Sequence, residues 1–422
     1  MNQKEFMARK RASMTIRTDR DYGLVASGFI HWEKHNLYHS MISGGSQGDR
    51  TRAVLSLIRM ARRAENGGQP LPVIILEQGN EILERFFCTD GSNAVIRRKA
   101  YRVDPLCGRT DLEIAKRLYD VACLLDKNCG SGLRSLLRIG CELLRLQNER
   151  PGIAALSRLP WTRLRGYIDR MVERDELEAE AALEIQGELS GISVDPGAAA
   201  ELLEELNREY GIMAPGGAPE VGFEDVLDND GIACIRLRTG MRAMRELMAV
   251  SLREASLCAR QFVLIADSVT LPDGESRMKE LLYTRSTEFS VIMSYDDLPA
   301  KLDSDFLSLV TGDTNVIAFS HQSGPSAEAW ADFIGKSYQM KTGSSSAVSR
   351  SLMRPLDRQI TRGQTREEEL RHVVAGDQIQ HLKAGEALIQ AGKPGSALWI
   401  SDYRRLFELQ KNHQLLLQER ND

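Results

Sequence analysis

Aromatic residues are scarce in this chain, 6% of 422 positions, too few for base-stacking surfaces to be its main business. No apolar run approaches the ~20 residues that cross a bilayer. The first twenty residues are polar and basic and lack the apolar centre of a secretory signal. Cysteine is sparse and unpatterned. Cys88, Cys107, Cys123, Cys129, Cys141, Cys234 and Cys258 are odd in number and contain no C-x-x-C pair. This argues against a disulfide framework or a structural zinc site and fits reduced thiols in a cytoplasmic protein. Charge of one sign is also lacking. Lys and Arg number 55 against 59 Asp and Glu, a formal charge of −4. That excludes a uniformly basic nucleic-acid binder while leaving room for a local basic channel. No internal repeat or low-complexity tract is present.

The remainder is ordinary globular composition, 42% hydrophobic and 27% charged, enough to bury a large core. At about 150 residues per domain the length implies two to three domains. Leu37 to Ser43 reads as a strand running into the glycine-rich Gly44–Gly48. Helical spacing follows from Thr51 to Arg63, then a buried-strand run, Pro72–Leu76. From Thr110 to Tyr210 the period is purely helical: Leu112–Leu125, Leu133–Gln147, Thr162–Ser190 and Pro196–Tyr210, the last opened by an Asp195-Pro196 start. Alternation then resumes, with strands at Gly231–Leu237, Phe262–Asp267, Phe289–Met293 and Asn315–Phe319. The intervening helices are Met241–Ala259, Glu275–Thr287 and Leu298–Val310, and Ser326–Ser337 follows the last strand. Such alternation means a parallel sheet covered on both faces. The expected division is a basic arm (1–22), a first α/β part (23–109), an inserted all-helical domain (110–215), a second α/β part (216–340) and a C-terminal region (341–422). In the last, Lys341–Ala347 reads as a flexible linker, Ile379–Leu382 with Glu386–Ile389 as a hairpin, and a helix is expected from about Tyr403.

The strongest local feature is Gly44-Gly45-Ser46-Gln47-Gly48-Asp49-Arg50-Thr51 between strand and helix. A phosphate-binding loop is written G-x-x-x-x-G-K-[ST]: backbone amides face the phosphates, the lysine reaches them and the hydroxyl binds magnesium. Gly44 and Thr51 match. The second glycine is Asp49, a negative charge where anionic oxygens should sit, and the lysine is Arg50, which is longer and forked. The plain structural alternative is an ordinary glycine-rich turn. Phe262–Asp267 is the second feature, a hydrophobic strand ending in an acid suited to hold magnesium. Ser268 follows where a base would polarise water, and a serine cannot act as one. Read structurally, Asp267 is a turn acid. Arg285, near the end of the helix before Phe289, reads either as a finger acting across a subunit boundary or as a solvated helix-end arginine, and the second is favoured.

The weaker candidates read as structure. His31, His35 and His39 fall on strands and a turn, do not line up, and predict no metal site. Arg134, Arg138 and Arg145 are interleaved with Glu142 and read as a solvated face. Met241, Met244, Leu247, Met248 and Leu252 form a core stripe.

In order and spacing these features resemble the coupling proteins of conjugative type IV secretion, the TraG/TraD-type ATPases. The likeness covers about Gly23 to Met340. It rests on His39 before the loop, the Pro105-Leu106 pair before the helical insertion, Asp267, Arg285, the strand carrying Met293-Ser294, and the final strand and helix through Gly335. The resemblance implies a RecA-like P-loop NTPase-type α/β fold, with a mostly parallel sheet and an inserted all-helical domain. It also implies a nucleotide site at Gly44, Gly45, Gly48, Arg50, Thr51 and Asp267, with ATP and magnesium as cofactors. The departures gather at that site: Asp49, Arg50, Ser268, and Met293 in place of a sensor Gln. The membrane helices such proteins usually carry are also not seen.

The favoured expectation is therefore a cytoplasmic pseudo-ATPase subunit of a DNA-transfer or protein-secretion machine. It docks substrate or partner, reaches the membrane only through a partner, and assembles into a ring with itself or with other subunits. Net charge does not point to DNA. Two alternatives stay open: a diverged active ring ATPase that moves DNA or protein, and a nucleotide-gated module that binds ATP without cleaving it.

Overall fold

The computed structural model describes residues 17–18, 32–33, 36–37, 39–62, 70–88, 92–125, 130, 132–255, 261–269, 289–297, 314–351, 354–390 and 398–402. In chain order the main strands are β1 (His39–Ser43), β2 (Val73–Glu77), β3 (Ala94–Ile96), β4 (Lys99–Val103), β5 (Glu220–Val221), β6 (Ile232–Arg236) and β7 (Phe262–Asp267). They continue with β8 (Phe289–Tyr295), β9 (Thr314–Phe319), β10 (Lys336–Ser351), β11 (Arg354–His372), β12 (Glu386–Gln390) and β13 (Leu398–Asp402). The helices are α1 (Gln47–Arg62), α2 (Glu81–Phe87), α3 (Asp111–Leu125), α4 (Gly132–Leu146), α5 (Ile153–Ser157) and α6 (Leu164–Glu173). After these come α7 (Ala179–Ser190), α8 (Pro196–Met213), α9 (Phe223–Asp228), α10 (Arg242–Ala255), α11 (Gly324–Ile334) and α12 (Gly376–Gln380).

The chain divides into two compact units. The larger runs through Arg50–Tyr295 and takes in Trp32–Ser40. Its sheet has the order β8-β7-β2-β6-β3-β4-β5, and the β8, β7, β2 and β6 ladders are parallel. The continuous runs Val73–Leu76, Ile232–Ile235 and Phe262–Ala266 are buried, as a sheet covered on both faces requires. Register sets Asp267 beside Glu77 on one side and Ser294 on the other. The antiparallel β3–β4 hairpin was not legible in the sequence. Its turn places Arg97 and Arg98 at positive φ, where hairpin turns ordinarily signal themselves with Asn-Gly.

Between β4 and β5 the described residues from Asp111 to Met213 contain helices and no strand. α3 packs on α4 and α10, and α8 packs on α5 and α10. On α4 the buried face includes Leu133, Leu136, Leu137, Gly140, Cys141 and Leu144. A Cβ on Gly140 would overlap the Trp161 ring, so only glycine lets the indole lie against the helix. The expected single stretch Thr162–Ser190 is broken. α6 ends in a Schellman-type cap with Asp175 at positive φ, Glu176 N–H donating to Met171 (2.9 Å) and Asp175 N–H to Val172 (3.1 Å). An Asp in the usual glycine position hid the stop signal. At the entry to the helices, Asp104 is fully buried and accepts from the N–H groups of Leu106 (2.8 Å) and Ile153 (2.9 Å).

The smaller unit includes Met41–Asp49 and Asp296–Leu406. In it β12 pairs antiparallel with both β9 and β13. Two expectations are corrected here. Lys341–Ala347 is not a linker but part of β10, paired antiparallel with β11. Ile379–Leu382 is not a strand: α12 occupies Gly376–Gln380, and the hairpin partner of Glu386–Gln390 is Leu398–Asp402. Short polar runs carry little period, which is why the pairing was misread. The helices expected at Glu275–Thr287, Leu298–Val310 and from Tyr403 lie outside the described residues. Among the described residues no helix is long and apolar enough to cross a membrane.

Candidate functional site

In the smaller unit the glycine-rich segment leaves β1 through Gly44 (φ +81°) and Gly45 (φ +64°). A Cβ on Gly44 would lie 2.7 Å from His321 Cε1 and from the Ser320 carbonyl, and one on Gly45 2.8 Å from Phe319 Cβ. Close approach to the end of β9 therefore demands both glycines. Gly44 N–H donates to the Asp296 carbonyl (3.0 Å) and Gly45 N–H to that of Ser320 (2.9 Å).

The helix then starts at Gln47, four residues before the Thr51 expected from periodicity. Ser46 Oγ donates to Asp49 Oδ2 (2.7 Å), and Asp49 N–H reaches both Ser46 Oγ (3.2 Å) and its carbonyl (3.0 Å). Ser46 and Asp49 thus close the first turn on themselves, a variant of the capping arrangement. Asp49 is 2% exposed, and Gly48 lies within this turn. His321, not singled out from sequence, is buried beside the loop. Its Nε2 meets Ser43 Oγ (2.8 Å) and accepts from Trp330 Nε1 (3.1 Å), which puts the ring proton on Nδ1, facing the Phe319 carbonyl (2.8 Å).

The larger unit holds the acid. Asp267, at the end of β7, is 1% exposed. Burial pushes its carboxyl above the usual range, opposed by the Asn80 hydrogen bond, by Ser294 and by the charge of Arg50. Asn80 Nδ2 donates to Asp267 Oδ2 (2.6 Å) and to Thr51 Oγ1 (2.9 Å). Thr51, Asn80 and Asp267 are all buried. Directly beside Asp267 in register, Glu77 accepts the Asn80 backbone N–H through Oε2 (2.6 Å), and its Oε1 lies 3.5 Å from Arg236 Nε. Arg236 also pairs with Glu84. Burial raises the Glu77 carboxyl, against the lowering effects of the Asn80 hydrogen bond and Arg236.

The sequence-derived candidates separate on these facts. Ser268 takes positive φ, and its N–H donates to the Ser294 carbonyl (2.7 Å). Met293 is 1% exposed and pairs in register with Ala266, so it is Ser294, not Met293, that stands beside Asp267. Arg285 lies outside the described residues, as do His31 and His35. His39 Nδ1 accepts from Val291 N–H (3.0 Å). Arg138 pairs with Glu142 (2.9 Å) and Glu188, and Arg145 with Asp111. Sequence reasoning missed Asn80 and Glu77. A capping signal for Asn80 was available, because Glu81 and Glu84 follow it in a first helical turn.

No protein-family model matches the sequence, and no curated protein matches it. Solved structures do match. The bacterial conjugative coupling protein TrwBdeltaN70, in a trigonal form in complex with sulphate, aligns over 94% of this chain and 94% of its own, at 15% identity and a TM-score of 0.52. The plasmid coupling protein TrwB in complex with ADP and Mg2+ aligns over 92% and 93%, at 14% identity and a TM-score of 0.51. This chain has a RecA-like coupling-protein fold. Within that fold the mostly parallel sheet carries Asp267 on an interior strand, and the helices from Asp111 to Met213 lie between β4 and β5 in chain order.

Proposed function

We propose that the chain is a catalytically degenerate RecA-like subunit of a DNA-transfer or protein-secretion machine, cytoplasmic, acting by docking a protein partner. The observation that carries this reading is the closed turn at Ser46–Asp49. A phosphate cradle needs loop amides facing the ligand and no anion among them. Here the Asp49 amide is spent on Ser46, the Gly44 and Gly45 amides on carbonyls, and a buried carboxylate occupies the second glycine's place. TrwB has been solved with ADP and Mg2+; the residues of this chain do not fit such a ligand. Nor does a substitute base favour the active-ATPase alternative. Glu77 is the carboxylate nearest in register to Asp267, and it is engaged by Asn80 and Arg236.

The docking face is the exposed acidic run Glu173, Asp175, Glu176, Glu178, Glu180 and Glu184 on and between α6 and α7, interrupted by Arg174. Leu183, 71% exposed, stands among these charges. The basic residues Arg138 and Arg145 are engaged in ion pairs and are a solvated face. Like charge repels phosphate, so the acidic face suits a basic protein and not DNA. The test is capture of partner protein by the purified chain, with and without ATP and magnesium. Capture is expected to be indifferent to ATP and to be lost on combined Glu173→Lys, Glu176→Lys, Glu180→Lys and Glu184→Lys substitution. Capture that requires ATP, or that survives the charge reversal, contradicts the reading.

A further inference from the structure

Four hydrogen bonds of the Asn80 side chain and one of its backbone N–H together fix its orientation. Its Oδ1 caps α2, accepting from the N–H groups of Ile82 (3.2 Å) and Leu83 (3.3 Å). Its own N–H is held by Glu77 Oε2 (2.6 Å). With the oxygen committed to the helix, the amide nitrogen must face the other way, and it bridges Thr51 Oγ1 (2.9 Å) and Asp267 Oδ2 (2.6 Å). In nucleotide-hydrolysing proteins of this loop type, those two oxygens, the loop hydroxyl and the strand acid, hold a divalent cation. Here an uncharged NH2 group lies between them, and the three side chains are 0–1% exposed.

We propose that Asn80 is a built-in substitute for the divalent cation, holding Thr51 and Asp267 together in the absence of metal and nucleotide. A side-chain NH2 supplies two donors and needs two acceptors, and the hydroxyl and carboxylate supply them. The arrangement leaves the cation no place, and removing the amide creates one. Asn80→Ser keeps a capping oxygen for α2 but is too short to bridge, so it leaves the Thr51 hydroxyl and the Asp267 carboxylate facing a vacated position. Asn80→Asp keeps the shape and adds a third oxygen, which faces Asp267 with like charge until a cation enters.

The inference rests on the degenerate-site reading, and the two can fail separately. Thermal unfolding of the full chain and its variants is followed with EDTA and with Mn2+, without nucleotide. The unaltered protein is expected to melt at the same temperature in both. Asn80→Ser and Asn80→Asp are expected to melt lower in EDTA and to gain about 5 °C or more in saturating Mn2+. That gain should vanish when Asp267→Asn is added. If Asn80→Asp does not fold, Asn80→Ser decides alone. A Mn2+ gain in the unaltered protein that Asp267→Asn abolishes overturns the assignment. So does a variant whose melting is indifferent to Mn2+, and in that case absent ATP turnover still leaves the degenerate-site reading standing.

Discussion

Asp104→Ala is expected to lower the unfolding free energy by about 2–4 kcal/mol, because two buried N–H groups lose their acceptor. Those groups belong to Leu106 and Ile153, so the carboxylate ties the end of β4 to the start of α5. Gly152 is fitted to it: a Cβ there would lie 2.8 Å from Asp104 Oδ2. Denaturant titration of the variant measures the loss, and an unchanged midpoint contradicts the assignment. The same residue gives a pH signature. Burial is the main cause that pushes its carboxyl from 3.8 up to about 6. A carboxyl shifted upward binds its proton more tightly in the fold than in the unfolded chain. Its contribution is therefore complete below its unfolded pKa and is lost as pH rises through about 6. Over that window the stability of the unaltered protein should fall relative to Asp104→Asn by about 3 kcal/mol. A flat difference between the two proteins from pH 4 to 7 contradicts it, whatever their absolute stabilities.

Asp49→Gly combined with Arg50→Lys is expected to create ATP binding where the unaltered chain has none that calorimetry detects. The first change removes the carboxylate that closes on Ser46 and frees the turn to open; the second restores a compact cation suited to phosphate. The gain should be at least tenfold in affinity, about 1.4 kcal/mol or more. Asp49→Gly alone should cost about 1 kcal/mol in stability as the first turn of α1 loses its closure. Micromolar ATP binding by the unaltered protein would mean that Asp49 does not block the loop, and the nucleotide-gated module would then be the better account.

The fold was legible wherever period and burial agree. Phe262–Asp267 is a strand with the same limits in sequence and structure, and the helices expected at Leu112–Leu125 and Leu133–Gln147 differ from the observed ones by no more than one residue at either end. What escaped has an identifiable cause in each case. Arg97-Arg98 and Asp175 take left-handed conformations without the glycine that announces them. The pairing of β10 with β11 depends on long-range contacts that a polar, low-period sequence does not display. The candidate site was half legible. Asp49 and Ser268 stood out as chemical misfits against a resemblance, but the way Asp49 is satisfied, by a serine three residues earlier, was written in Ser46-Gln47-Gly48-Asp49 and went unread. Asn80 could be read from sequence as a helix cap, but its bridge between Thr51 and Asp267 could be found only in three dimensions. Asn80 lies 29 residues from Thr51 and 187 from Asp267 in sequence, and sheet topology brings them together.

The most direct test of the central claim is magnesium-dependent ATP turnover by the purified chain. Removing one electrostatic group from a preorganised site commonly costs about 10²–10³ in rate. Here the loop glycine is Asp49 and the position of the base is Ser268, so release of phosphate should be indistinguishable from background with or without magnesium. Clear magnesium-dependent hydrolysis that disappears in Arg50→Ala would contradict the account.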